Sequence, residues 1–265
     1  HRDADLGVFF MDNKGYLDMC GHGTMGVVTA FIENGGLPFK SSIKIETPAG
    51  FVKARPKIVR DQVKHVTVQN VDSFVVDKVE INFDAEHKKI SIPVDVVYSG
   101  NLFGLVNVQN FEFDVPVTPN NVGKFINYGL QIREKINEKR FTNPFTKRTE
   151  KVGLIEFYQP NENKPDKNVV IFGDGAVDRS PCGTGTCAKM TLLFNKGELE
   201  VGDTYTYESI IGTSFKGRIV DAKKKKGLTI ITPEVTGSAY IVARHSFVHQ
   251  PEDPLTGFQL PHHIQ

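Results

Sequence analysis

The shortages in this 265-residue chain exclude more than its abundances do. Its 32 basic and 31 acidic residues leave a formal net charge of only +1, so there is no global field to draw in nucleic acid or an anionic membrane. No apolar run approaches the roughly 20 residues that span a bilayer. The start, His1-Arg2-Asp3-Ala4-Asp5, has no apolar signal-peptide core. Cysteines number three; an odd count argues against a disulfide-stapled secreted scaffold and for a reducing compartment. The expected address is the cytoplasm, and the expected partner is a small neutral or zwitterionic molecule. Low-complexity segments are missing too. Lys223-Lys224-Lys225-Lys226 is the one charge run, and it reads as a solvated turn. The first residue is not methionine, and the apolar run Leu6-Gly7-Val8-Phe9-Phe10 reads as a strand with no partner before it. The natural N-terminus is therefore expected further upstream.

What is present suffices for a substantial core. With 39% hydrophobic and 24% charged residues, the chain has the length for one large domain or two ordinary ones. Strand-like runs occupy 6–11, 42–47, 50–55, 63–69, 79–83, 89–97 and 103–108, then 151–158, 168–172, 204–211, 214–221, 228–235 and 238–245. Helical spacing covers 24–34, stopped by Gly35-Gly36, and 184–195, stopped by Gly197. A third helix is predicted over 122–140 on the stripe Val122, Phe125, Ile126, Leu130, Ile132 and Ile136.

Two of these segments say nearly the same thing. Cys20-Gly21-His22-Gly23-Thr24 and Cys182-Gly183-Thr184-Gly185-Thr186 each place one cysteine before Gly-x-Gly-Thr at a helix start. The match extends upstream, where Phe10 and Phe172 stand ten residues before their cysteines, and Asp12 and Asp174 eight before. The expected fold is α/β (α+β) in two pseudo-symmetric halves. The first, 1–110, carries the Cys20 loop, with 240–265 returning to it; the second, 111–239, carries the Cys182 loop. The two loops are expected to meet in the cleft between the halves.

A cysteine at a helix N-terminus sits where free backbone N–H groups and the helix dipole favour negative charge, which lowers a thiol pKa to roughly 3.5–7.5. The following glycines let a ligand approach the backbone, and the exposed amides suit a carboxylate. A carboxylate held between both helix ends has its Cα flanked by Cys20 and Cys182. One thiolate removes the α-proton and the opposing thiol returns a proton to the far face, inverting the centre. No metal or organic cofactor is required. The set Cys20, His22, Cys182 and Cys187 matches no usual Cys-x-x-Cys zinc spacing, and Cys187, inside the second helix, reads as a small core residue.

Asp18-Met19-Cys20-Gly21-His22-Gly23-Thr24 and Asp178-Arg179-Ser180-Pro181-Cys182-Gly183-Thr184-Gly185-Thr186 resemble the two signature motifs of the proline racemase family. The resemblance continues through Gly100-Asn101-Leu102-Phe103, Tyr207-Glu208-Ser209, the run Gly212 to Gly217 and Gly237-Ser238-Ala239-Tyr240 to Pro251-Glu252-Asp253-Pro254-Leu255, and so covers essentially the whole chain. It implies Cys20 and Cys182 as the acid and base, with Gly21, His22, Gly183 and Thr184 lining the substrate. It also implies Asp178 at the ring ammonium and Phe172 against the ring. It implies proline racemisation, or epimerisation of 4-hydroxyproline, in a homodimer with the diaminopimelate epimerase fold: two halves, each a curved, mostly antiparallel sheet around a central helix. Family dehydratases usually lack one of the two cysteines. Family members carry several dozen residues before the counterpart of Leu6, and Asp18 and Leu102 replace an expected asparagine and aromatic.

Other readings of the residues stand beside this one. His22 serves either as a ligand contact or as a polar residue that fixes its loop; Asp178 serves either the substrate or as a cap of the second loop; Phe172 is core first and pocket second. A cysteine hydrolase or a dithiol redox protein accounts less well for the paired loops. A non-catalytic imino-acid binder is the third alternative.

Overall fold

The computed structural model describes residues 2–12 and 15–254. Its elements are β1 (Leu6–Gly7), β2 (Phe10–Met11), β3 (Tyr16–Leu17), α1 (Gly21–Glu33), β4 (Ile43–Thr47), β5 (Gly50–Val59), β6 (Gln62–Gln69), β7 (Ser73–Ala85), β8 (Lys88–Tyr98) and β9 (Leu102–Asn107). After α2 (Val122–Ile136) come β10 (Phe141–Thr142), β11 (Thr149–Glu150), β12 (Leu154–Gln159), β13 (Asp166–Phe172) and β14 (Ala176–Val177). The chain continues with α3 (Gly183–Lys196), β15 (Thr204–Ser209), β16 (Ser214–Lys225) and β17 (Leu228–Gly237). The class is mixed α+β, as expected.

One 13-stranded sheet dominates, in the order β1-β4-β5-β6-β17-β16-β15-β13-β12-β9-β8-β7, with β14 on β13. β17 also pairs with β7, so the sheet closes through a strand that touches β6, β7 and β16. Among the described residues only β1–β4, β9–β12 and β13–β15 are parallel pairs. Alternating burial along β4 (Ile43, Ile45, Thr47) and β8 (Ile90, Ile92, Val94, Val96) shows the period-two pattern that turns one face inward.

Three helices divide the interior. α1 lays Met25, Val28, Thr29 and Ile32 against β5 and β6. α2 covers the other side of the sheet, on β7, β12 and β13. Its buried stripe is Phe125, Tyr128, Gly129, Ile132 and Ile136; Leu130 is only partly buried, and Gly129 replaces it because a Cβ there would lie 2.9 Å from Ile171. α3 is buried on nearly every side, from Gly183 to Leu193, as befits a helix packed against β7, β8, β9, β16, β17 and α1. Gly197, in the left-handed region at φ 74°, ends it. β7, β8 and β9, which fall within 1–110, share a core with α2.

Two sequence expectations are corrected. The predicted strand 238–245 is exposed coil: none of the described strands pairs with it, and side chains suited to a strand form none without a ladder to join. Residues 240–265 were expected to return to the first half; 255–265 lie outside the described residues. Nearby, Ser238 Oγ donates to the Lys64 carbonyl at 2.7 Å and Arg244 Nη2 to Asn34 Oδ1 at 2.9 Å. The single strand expected over 6–11 is instead two short pieces, β1 on β4 and β2 on β3. Among the described residues no helix is long and apolar enough to cross a membrane.

Candidate active site

Both cysteines are helix N-caps. Cys20 Sγ accepts from Gly23 N at 3.3 Å, and Cys182 Sγ from Gly185 N at 3.4 Å. Each loop is braced alike, Thr24 Oγ1 donating to the Cys20 carbonyl and Thr186 Oγ1 to the Cys182 carbonyl, both at 2.8 Å. The helix starts abut. A Cβ built on Gly21 would lie 2.8 Å from Gly183 Cα, and one on Gly183 2.8 Å from Gly21 Cα, closer than real Cβ contacts come. Glycine at both positions is what lets the two N-termini meet.

The symmetry breaks in the backbone. Cys20 is extended (φ −140°, ψ 109°), whereas Cys182 has φ 56°, a costly conformation for a residue with a Cβ. Ser180 holds it there: its Oγ accepts from Cys182 N at 3.1 Å, while Asp178 Oδ1 accepts from both Ser180 N and Ser180 Oγ at 2.8 Å.

Cys20, Gly21, His22, Phe172, Asp178, Cys182, Gly183 and Thr184 all line one cavity, whose free space, counted out to its mouth, is about 310 Å³. Leu17, Met19 and Leu154 complete its wall; one apolar residue among many leaves no signal in a sequence. Asp18 and Leu102 do not line it. Instead Asn101 Oδ1 accepts from Asp18 N at 3.1 Å, and Leu102 is core. Cys187 is fully buried, as expected, and all three cysteines are free.

Two charges cross the cleft. His22 Nδ1 lies 3.4 Å from Asp178 Oδ2, with the imidazole half exposed and the carboxylate buried. The hydrogen bond to Asp178, with a further one to Cys20, raises the His22 pKa to about 11. Burial works against the Asp178 anion, but His22 and then Ser180 outweigh it and hold the carboxyl below its usual range. Asp178 thus both folds its own loop and presents a charge to the cavity.

The expected low thiol pKa does not hold for Cys182. Burial pushes it well above the ordinary thiol range, and the charges of Asp178 and Glu156 add to this. The bond from Gly185 N acts in the other direction but is too weak to compensate, because desolvation in a closed site exceeds what one helix end supplies.

Sequence reasoning passed over Glu156. It is fully buried on β12, with Oε1 accepting from Tyr207 Oη at 2.7 Å. The available signal was one acidic residue inside Leu154-Ile155-Glu156-Phe157-Tyr158.

The family model for proline racemase matches residues 1–259. The chain belongs to the proline racemase family. It is accordingly an isomerase of the racemase and epimerase class. It is 40% identical over 262 residues to the proline racemase of Acetoanaerobium sticklandii, an alignment covering 96% of this chain and 77% of that one. Two solved structures are similar at 25% identity. A probable proline racemase from Agrobacterium radiobacter, with bound carbonate, superposes with a TM-score of 0.87 over 96% of this chain and 75% of that one. A hydroxyproline epimerase from Agrobacterium vitis, with bound trans-4-hydroxy-L-proline, does so with 0.83 over 91% and 70%.

Proposed function

We propose that this family member interconverts L- and D-proline by two-base proton transfer between Cys20 and Cys182. The observation that carries the reading is the meeting of two N-cap cysteines at the Gly21–Gly183 contact, on one cavity that also holds Asp178. The amides at the two helix starts receive the substrate carboxylate, and Asp178 receives the ring ammonium. With Cα between the sulfurs, one thiolate takes the α-proton while the other thiol delivers a proton to the opposite face. The negative charge that develops on the carboxylate falls where both helix ends already favour it. Because burial keeps Cys182 protonated, it is the proton donor in the resting site; the product complex holds the reverse arrangement.

In this reading His22 fixes its loop and the Asp178 charge, Gly183 and Thr184 line the carboxylate side, and Phe172 and Leu154 enclose the ring. The 40% identity to a named proline racemase supports proline as substrate. The likeness to a structure with bound trans-4-hydroxy-L-proline supports the second reading, 4-hydroxyproline 2-epimerisation by the same chemistry. The family resemblance supports a homodimer, and the three free cysteines suit a reducing compartment such as the cytoplasm.

The deciding experiment incubates the protein with L-proline and, separately, trans-4-hydroxy-L-proline in D₂O, following α-deuterium by NMR and chirality by polarimetry. Exchange with inversion of proline is expected. Inversion of hydroxyproline alone selects the second reading, and binding of pyrrole-2-carboxylate without exchange of either substrate rejects catalysis.

A further inference from the structure

Against the first turn of α3, next to the second thiol, lies a carboxyl that this scheme does not use. Glu156 is fully buried, and while its Oε1 accepts from Tyr207, its Oε2 has no hydrogen-bond partner. A Cβ on Gly185 would lie 2.3 Å from Oε2, so the carboxyl presses on the same residue whose N–H donates to Cys182 Sγ. The register pairs Glu156 with Val170 and Tyr158 with Asn168, which makes Asn168 the diagonal neighbour of Glu156 on one face. Asn168 Nδ2 donates to the Pro181 carbonyl at 2.8 Å, which settles the amide's orientation, and its Oδ1 is also without a partner. Two unpartnered buried acceptors on one face of neighbouring strands are costly. One proton on Oε2 removes the buried charge and turns the carboxyl into a donor.

The titratable groups facing this carboxyl are Tyr158 on its own strand β12, Tyr205 and Tyr207 on β15, Asp178 in the loop, and Cys182, Cys187 and Lys189 on α3 and its cap. Lys189 is committed elsewhere: Nζ stands 3.4 Å from the Tyr158 ring centre and 3.8 Å from Asp166 Oδ2. Asp166 in turn accepts from Tyr205 Oη. Asp178 is held by His22 and Ser180. That leaves Cys182 as the reactive group whose negative charge Glu156 opposes.

We propose that Glu156 is a positioning residue that gates the charge of Cys182, the two holding one negative charge between them. The proton that leaves Sγ when Cys182 ionises is matched by one taken up at the Glu156 carboxyl, and both exchange with solvent, so net charge is unchanged. Burial pushes Glu156 up to about 7, so the carboxyl can take up that proton near neutral pH. The inference rests on Cys182 being one of the two proton-transfer thiols.

Thiolate absorbance near 240 nm, titrated in a Cys20→Ser, Cys187→Ser background and corrected by the same titration of the variant that also carries Cys182→Ser, which removes the tyrosinate signal, reads Cys182 alone. Adding Glu156→Gln is expected to lower its midpoint by roughly one pH unit. An unchanged midpoint in the folded variant overturns the proposal. Where Glu156→Gln does not fold, Tyr207→Phe takes its place. It keeps the carboxyl but removes the hydrogen bond favouring its anion, so it is expected to move the midpoint the same way, and no movement overturns the proposal equally. The absorbance needs no turnover. A shift in that background, together with a wild-type protein that exchanges no α-proton of either substrate, would reject the two-thiol reading and leave the coupling standing.

Discussion

His22 in the first cysteine loop makes its ion pair with Asp178 in the second, Nδ1 to Oδ2 at 3.4 Å. The contact ties together two segments far apart in sequence and keeps one buried anion on the wall of the cavity. Folding raises the His22 pKa and lowers that of Asp178. The stabilisation tied to His22 is therefore complete below its unfolded value near 6.5 and is lost as pH rises through about 11. That tied to Asp178 is present above its unfolded value near 3.8 and is lost as pH falls through its lowered folded value. Comparing urea midpoints of wild type and Asp178→Asn should give a gap that is widest between about pH 4 and 6.5 and narrows towards either extreme. The exposure of His22 keeps its share small. A gap that widens in acid would contradict the pairing.

Replacing either N-cap thiol should abolish turnover. Cys20→Ser and Cys182→Ser are each expected to lose at least about 10²-fold to 10⁴-fold in racemisation, with circular dichroism unchanged. Full inversion activity in either single variant would refute the two-base scheme.

The third thiol offers the contrast. Cys187 is fully buried among Met25, Met190 and Val235 in the core around α1. Cys187→Ala is expected to cost about 1 kcal/mol of stability through the small cavity it leaves, while kcat/KM stays at the wild-type value. A loss as large as that of the N-cap variants would assign Cys187 to the chemistry.

Alanine at Gly21 or Gly183 would push the two helix starts apart, since the added Cβ meets backbone at 2.8 Å and backbone cannot rotate away. The expected outcome is a folded protein with kcat/KM reduced about 10²-fold, because proton transfer between two bases tolerates little displacement. Wild-type kinetics in Gly183→Ala would show that the loops need not touch.

Stability should also report Glu156. Its folded pKa, about 7, lies above the unfolded value of 4.5, so the native state binds the extra proton and wild type loses stability as pH rises through that interval. Glu156→Gln cannot ionise, so its denaturation midpoint should lack this part of the decline. Parallel pH profiles for the two proteins would indicate that the carboxyl is ionised throughout.

Much of this molecule was legible in the order of its residues. Cys-Gly-x-Gly-Thr occurring twice, each time before a helical pattern, announced both N-caps, because capping and left-handed stops at Gly35 and Gly197 are local matters. The alternation along β4 and β8 exposed their inward faces in the same way. The strand predicted at 238–245 failed because a strand is completed by a neighbour, which local pattern does not supply. The short pair β10 and β11 was missed because two residues carry no period.

The charge states of the site belonged to the tertiary structure. A helix N-terminus promised Cys182 an easily formed thiolate, yet the fold buries it beside Glu156 and Asp178, and desolvation prevails over the dipole. The sequence by itself determined which side chains stand at the two helix starts, since the motif, the cap and the glycines are contiguous. Only the tertiary structure decided that Gly21 meets Gly183, that His22 reaches Asp178 and that a carboxyl lies against the first turn of α3. The first two contacts join segments separated by more than a hundred residues and the third spans a strand, a loop and a helix start, and burial, which no local pattern encodes, sets the protons they carry.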